Sequence, residues 1–259
     1  MIRCKTFPSE EFLAERLDIA PGEHVGVWGP TGTGKTDFTY RMLGATMSRY
    51  PDLRYASMMP KPADPATRRW SSALDMKITD RWPPPRPFFS EPPAGHVFWP
   101  RHLKGVPIKR NREYLAERFR LLINDQYRHG NSVTFADDVY LLAALLDLNP
   151  ELEEIWTAGQ GLGASIWSTN QKPSGTIGGG HVSSFSYNAP THYIFSQDPD
   201  ARNRRRFSEI GASIDPDVIA YEVANLRTFR IRTPEGLIKN ISEKLYLHKG
   251  GPWMCKVLP

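Results

Sequence analysis

His24-Val25-Gly26-Val27-Trp28, followed by Gly29-Pro30-Thr31-Gly32-Thr33-Gly34-Lys35-Thr36, is the stretch on which the reading of this chain turns. The leading segment is bounded by Pro21-Gly22 and is rich in apolar residues, so it predicts a buried strand. The second segment matches G-x-x-x-x-G-K-[ST] in full. Phe38, Tyr40, Met42 and Leu43 recur at helical intervals, which predicts a helix beginning near Lys35 and closed by Pro51. Each residue type in the loop has a chemical reason. Gly29, Gly32 and Gly34 let the backbone wrap with its N–H groups turned inward around an anion, with Pro30, Thr31 and Thr33 completing the loop. The helix that follows adds its N-terminal dipole. Lys35 is placed to reach the β- and γ-phosphates of ATP, and the Thr36 hydroxyl to hold Mg²⁺.

A phosphate loop of this type needs a second, acidic element for the metal. Val133-Thr134-Phe135-Ala136-Asp137-Asp138 supplies an apolar strand ending in two carboxylates. Asp137 is expected to bind Mg²⁺ directly or through water, and Asp138 to orient or polarise the attacking water. Asp138 is also suited to capping the helix that starts at Val139. A third element is Thr169-Asn170-Gln171-Lys172-Pro173, at the end of the apolar run Ala164–Thr169. Ligands of open α/β sheets lie at the carboxyl ends of the strands, where Gln171 would sense the γ-phosphate or position water. The ordinary alternative for Gln171 is a loop amide bonded to nearby backbone. The expected catalytic set is Lys35, Asp137, Asp138 and Gln171.

The rest of the chain sets the frame. Its 259 residues are 40% hydrophobic and 24% charged, which suffices for one large α/β domain spanning 1–259. No run is long and apolar enough to span a membrane, and the segment Met1–Phe12 lacks the apolar core of a secretory signal. Cys4 and Cys255 lie at opposite ends without metal-type spacing, so a reducing, cytoplasmic location is expected. A net charge of +5 permits contact with nucleic acid and fits a merely solvated basic face equally well. Leu53–Met59 reads as a strand. Residues 60–107 read as a proline-rich, loop-like excursion holding two short strands, Met76–Thr79 and His96–Trp99, and too aromatic to be a disordered linker. Helices are expected over Asn111–His129, Val139–Leu148 and Glu151–Gly159. A glycine- and serine-rich loop should run from Lys172 to Asn188, then a strand over Thr191–Ser196. A closing hairpin, Asn225–Arg232 with Leu237–Asn240, belongs to a tail over about 225–259.

Together these residues resemble the FtsK–HerA superfamily of RecA-like motor ATPases, among them DNA pumps and viral genome-packaging ATPases. The likeness runs from about Val25 to Arg232. It takes in the P-loop, the acidic strand, Gly159-Gln160-Gly161-Leu162-Gly163, the strand Ala164–Thr169, Gln171-Lys172-Pro173 and Ala189-Pro190-Thr191 before the next strand. The resemblance implies a mostly parallel sheet flanked by helices, with a strand inserted between the P-loop strand and its neighbour in sequence, and a C-terminal β-hairpin. It also implies a pentameric or hexameric ring, ATP at subunit interfaces and double-stranded DNA through the centre, with a viral portal or capsid vertex as a further partner. If the chain is viral, its location is the host cytoplasm. Two departures stand out. Asp137-Asp138 replaces the family's usual Asp-Glu. Gln160 stands where relatives often carry an arginine that reaches the neighbour's nucleotide, and it cannot supply that charge. The substitutes on hand are Arg202, Arg204, Arg205 and Arg206, with Arg128 as a second source. DNA contact would fall to Lys104, Lys109, Arg110 and Arg112, and the loop Ser174–Tyr187 could line a pore.

The leading expectation is therefore an ATP-driven double-stranded DNA translocase of the viral packaging type. The competing readings are a P-loop nucleotide or metabolite kinase and an ATP-binding assembly switch with little hydrolysis.

Overall fold

Strands buried on both faces need helices on both sides, and the burial pattern shows this arrangement. The computed structural model describes residues 4–85, 91–171, 175–177, 180–206, 210, 212–232, 238–251 and 253–259. In chain order, β1 (Lys5–Pro8) leads into α1 (Ser9–Glu11), which continues as a π-helical turn, Phe12–Arg16. Then come β2 (Val25–Trp28), α2 (Lys35–Arg49), β3 (Arg54–Met58), α3 (Pro65–Ala73), β4 (Met76–Thr79), β5 (Gly95–Phe98), α4 (Ile108–His129) and β6 (Ser132–Ala136). A π-helical turn, Leu141–Leu145, precedes α5 (Asn149–Ala158) and a 3₁₀ turn, Gly159–Leu162. β7 (Ala164–Asn170), the small hairpin β8 (Gly175–Ile177) and β9 (Gly180–Val182), α6 (Phe185–Asn188) and β10 (His192–Ser196) follow. The chain closes with α7 (Ala201–Arg205), α8 (Pro216–Ala224), the hairpin β11 (Thr228–Arg232) and β12 (Ile238–Ser242), β13 (Lys244–His248) and β14 (Met254–Leu258).

The main sheet has ten strands in the order β1-β14-β13-β10-β2-β7-β6-β3-β5-β4. From β10 to β4 every pairing is parallel, and β13 and β14 add antiparallel neighbours on the other side. Successive residues of one strand face opposite cores. Val25 and Val27 join α2's Phe38 and Met42 on one face. On the other, Ile166 and Ala136 meet α4's Phe119 and Leu122, and Tyr193 and Phe195 meet α8's Ile219 and Val223. Trp28 stacks on both Tyr193 and Phe195, each at 5.5 Å between ring centroids. Its ring also explains Gly26, where a Cβ would lie 1.7 Å from it. No described helix is long and apolar enough to cross a membrane.

The mostly parallel sheet flanked by helices, with a separate hairpin near the C-terminus, is the expected fold class. Several details differ. Two strands, β7 and β6, rather than one, stand between the P-loop strand β2 and β3. The proline-rich excursion holds a helix, α3, whose start Asp64-Pro65 was hidden among helix breakers. Asp64 caps it by accepting from Ala66 N at 3.1 Å and Thr67 Oγ1 at 2.9 Å, while Pro65 occupies the first turn. The excursion's two strands extend the parallel sheet as its far edge. The helix expected over Val139–Leu148 ends early in its π-turn, and Pro150 starts α5 rather than ending its predecessor. Within Lys172–Asn188, β8, β9 and α6 replace a plain loop, and Val182, Ser183, Ser186 and Tyr187 are buried. Residues 172–174 and 178–179 of that segment, like 233–237 of the hairpin's turn, lie outside the described residues. The tail is no appendage: β13 and β14 enter the main sheet, and β14 pairs in parallel with β1. That pairing sets Cys4, immediately before β1, near Cys255 on β14, both as free thiols.

Candidate functional site

All the parallel strands deliver their carboxyl ends to one edge, so the turns after β2, β3, β6, β7 and β10 converge there. After Trp28 the chain enters Gly29 at φ +152°, where a Cβ would fall 2.5 Å from that of Ser196. Only glycine lets the loop press this closely on β10. Gly34, at φ +79°, sits in the left-handed region immediately before α2. Within the loop, Thr33 Oγ1 donates to Pro30 O at 2.9 Å. Lys35 Nζ folds over the loop and donates to Gly29 O at 2.6 Å and Pro30 O at 2.9 Å. Burial lowers the Lys35 pKa to about 8, against the opposing pull of Asp137 and Asp138.

Asp137 is the centre of the acidic element. It directly follows β6, is 1% exposed, and has three side-chain donors around it. Oδ1 accepts from Thr36 Oγ1 at 3.0 Å and Thr169 Oγ1 at 2.9 Å, and Oδ2 accepts from Lys61 Nζ at 2.7 Å. Asp138 follows in a left-handed turn, φ +59°, and its N–H donates to Thr169 Oγ1 at 2.8 Å. Its backbone carbonyl accepts from Leu141 N, while its carboxylate stands 4.0 Å from Lys61. Burial raises the Asp138 pKa despite that lysine. Burial opposes the charge on Lys61, but Asp137 and Asp138 outweigh it and raise its pKa.

Lys244 completes the edge from far away in sequence. It opens β13, is 3% exposed, and donates from Nζ to Thr33 O at 2.6 Å and Ser242 O at 3.0 Å. Burial and nearby Lys35 lower its pKa to about 7. The buried Asn170 Nδ2 has no partner among the described residues, although Asn170 O accepts from Gly29 N at 3.2 Å.

These groups open into a cleft of about 930 Å³, large enough for a nucleotide. Its apolar lining includes Phe38, Ile231, Ile241, Leu258 and Trp70, whose Nε1 donates to Asp37 at 2.7 Å. The predicted Gly32, Gly34, Lys35, Thr36, Asp137, Asp138 and Gln171 all line it, Gln171 from an exposed position. Lys104, Lys109, Arg110 and Arg112 are all exposed on the approach to and first turn of α4, at this same edge of the sheet. The first turn of α4 carries no acidic residue, so its basic side chains face the helix's positive end. Arg202, Arg204, Arg205 and Arg206 sit on or just after α7, which follows β10 at this edge; Arg204 Nη1 donates to Asp198 O at 2.7 Å. Arg128 and Gln160 are exposed at the opposite edge, beside the starts of β6 and β7. Lys61, Thr169 and Lys244 were not singled out from sequence. Thr169 lay inside a segment already quoted, and its register opposite Val27 marks it. Lys61 follows a buried strand at the ligand edge, whereas only tertiary structure reveals Lys244.

Among solved structures, the chain is similar to the genome-packaging NTPase B204 of Sulfolobus turreted icosahedral virus 2. The B204 complex with ATP-gammaS matches over 92% of this chain and 98% of that one, with a TM-score of 0.58 at 13% identity. The fold is that of a P-loop NTPase. The sulfate complex of B204 gives the same TM-score, at 12% identity. The cytoplasmic domain of the Thermomonospora curvata type VII secretion ATPase EccC matches over 94% of this chain but 26% of its own, with a TM-score of 0.50 at 15% identity. No protein-family model matches the sequence, and no curated protein does.

Proposed function

We propose that the chain is an ATP-hydrolysing motor that moves double-stranded DNA, of the kind that packages viral genomes. The observation that carries the ATPase part is Asp137, buried below the phosphate loop and bonded to the Thr36 hydroxyl at 3.0 Å. Thr36 and Asp137 offer two hard oxygen donors side by side, a set that fits Mg²⁺. Bound there, Mg²⁺ would neutralise charge on the β- and γ-phosphates. The protein's own groups do the rest. The loop amides from Gly29 to Thr36 hold the phosphates, and Lys35 leaves its two carbonyls to reach them. Thr169 holds Asp137 and the Asp138 amide in fixed relation, which orients the Asp138 carboxylate toward the attacking water. Gln171 and Asn170 offer amides at the γ-phosphate side of the cleft.

The motor part rests on the likeness to a genome-packaging NTPase and on exposed Lys104, Lys109, Arg110 and Arg112 at the nucleotide edge. In a ring these would face the DNA backbone, whose recognition is electrostatic and largely sequence-independent. The charge that Gln160 cannot give would come from a neighbouring subunit, through Arg128 or the α7 arginines. The test is ATP turnover with and without long double-stranded DNA, in the wild type and Lys35→Ala. Stimulation by DNA that disappears in Lys35→Ala supports the motor. Turnover indifferent to DNA contradicts it, and phosphate transfer to a nucleotide or metabolite acceptor would favour a kinase.

A further inference from the structure

The edge of the sheet opposite the phosphate loop carries a second cluster of chemistry-bearing side chains. Glu23 precedes β2, His192 opens β10 and His248 closes β13, so adjacent strands bring together residues remote in sequence. Their donor atoms all lie within 4.8 Å of one another. His192 Nε2 is 2.9 Å from Glu23 Oε2, and the two imidazole rings meet edge to face with centroids 4.9 Å apart. The backbone there is pinned: Thr191 N and His192 N both donate to His24 O, and Lys249 N donates to Thr191 O at 2.7 Å.

We propose that Glu23, His192 and His248 bind a divalent transition-metal ion of the zinc type. Two imidazoles and one carboxylate are a donor set that zinc, cobalt and nickel share, whereas magnesium and calcium prefer oxygen alone. Around a tetrahedral ion at about 2.0–2.1 Å, donor atoms stand about 3.4 Å apart, so small side-chain adjustments close this trio on a metal. The support expected behind a ligating histidine is present. His192 is 1% exposed, and its Nδ1 is 2.8 Å from the Tyr246 hydroxyl, which fixes the ring and leaves Nε2 turned toward the other donors. His248 and Glu23 are only partly buried, so the fourth position opens to water. The ion would clip β2, β10 and β13 at their shared end, about 13 Å (the length of β2) from the phosphate loop. The site is independent of the nucleotide reading.

The test uses tag-free full-length protein, stripped of metal and held in excess Mg²⁺, which fills oxygen-donor sites. It is titrated with Co²⁺, then challenged with Zn²⁺. The proposal predicts one Co²⁺ per chain with the intense visible absorption of a tetrahedral site, displaced by Zn²⁺, and a higher thermal midpoint with Zn²⁺ bound. His248→Ala and Glu23→Gln, both at partly exposed positions, should each weaken uptake at least tenfold while the circular dichroism stays that of the wild type. A hydrogen-bonded trio without metal chemistry predicts otherwise. No visible Co²⁺ band, or a band that survives both substitutions unchanged, overturns the proposal.

Discussion

Lys244 and Lys249 bracket the same strand, β13, and meet opposite edges of the sheet. Lys244 reaches into the phosphate loop, where its partners are the carbonyls of Thr33 and Ser242. Lys249 binds the carbonyl of Asn188 at the far edge, beside the interlocked Glu23, His192 and Tyr246. The first edge gathers three lysines, Lys35, Lys61 and Lys244, around Asp137 and Asp138, with Asp37 and Asp64 further along the cleft. Two of those lysines are held by backbone oxygens rather than by counter-charges. At the second edge the polar contacts link side chain to side chain, Glu23 to His192 and His192 to Tyr246, with Lys249 tied to backbone beside them. On the proposed function the difference has a reason: one edge awaits an anion that will rearrange its donors, while the other fixes the strands that carry them.

The contrast can be broken hardest at Asp137. Asp137→Asn leaves Thr36 and Thr169 in place but removes the charge, and ATP turnover should fall by about 10²–10³-fold in a steady-state assay. The same change should leave the secondary structure intact by circular dichroism. Lys244→Met comes next. It keeps the volume of the buried stem and loses both loop contacts, and turnover should fall about tenfold. Its stability signature is sharper. The folded chain holds Lys244 near pKa 7 while an unfolded lysine keeps its proton to about 10.4, so between these values the unfolded state binds more protons. Stability therefore rises with pH across that window, and urea midpoints from pH 7 to pH 9.5 should rise less steeply in Lys244→Met. Lys35, with a pKa of about 8, sharpens the point from the ligand side. A polyphosphate beside it raises that pKa, so ATP binding at pH 8 should take up a fraction of a proton. Calorimetry in buffers of different ionisation enthalpy reads this uptake, which Lys35→Ala abolishes. Smallest is Lys249→Met, which loses one bond at the quiet edge. It should cost about 0.5–1.5 kcal/mol in urea unfolding and leave turnover unchanged.

The two edges also differ in how legible they were. At the phosphate edge the chemistry is local: Gly29–Thr36 are consecutive, and Asp137 and Gln171 each directly follow a buried strand whose burial is visible in the pattern. Fold class followed from the same runs, because strands such as β6 and β7 are apolar on both faces and so require helices on both sides. What escaped was of two kinds. Asp64-Pro65 and Asp215-Pro216 each start a helix, with the aspartate capping and the proline in the first turn, yet proline there was read as a breaker or passed over. The other kind is long-range. Nothing near Lys244 in sequence announces a partner at Thr33, and Glu23, His192 and His248 meet only because β2, β10 and β13 are neighbours. The joining of β1 to β14 likewise depends on pairing between the chain's two ends.

The central claim is that the carboxyl edge of this sheet is built for the triphosphate of ATP. Steady-state ATP hydrolysis in Mg²⁺, comparing the wild type with Lys35→Ala, tests it most directly. The account predicts measurable turnover in the wild type and a loss of about 10²-fold or more in the variant, with the fold preserved. Undiminished turnover in Lys35→Ala, or a wild type that neither binds nor hydrolyses ATP, would contradict it.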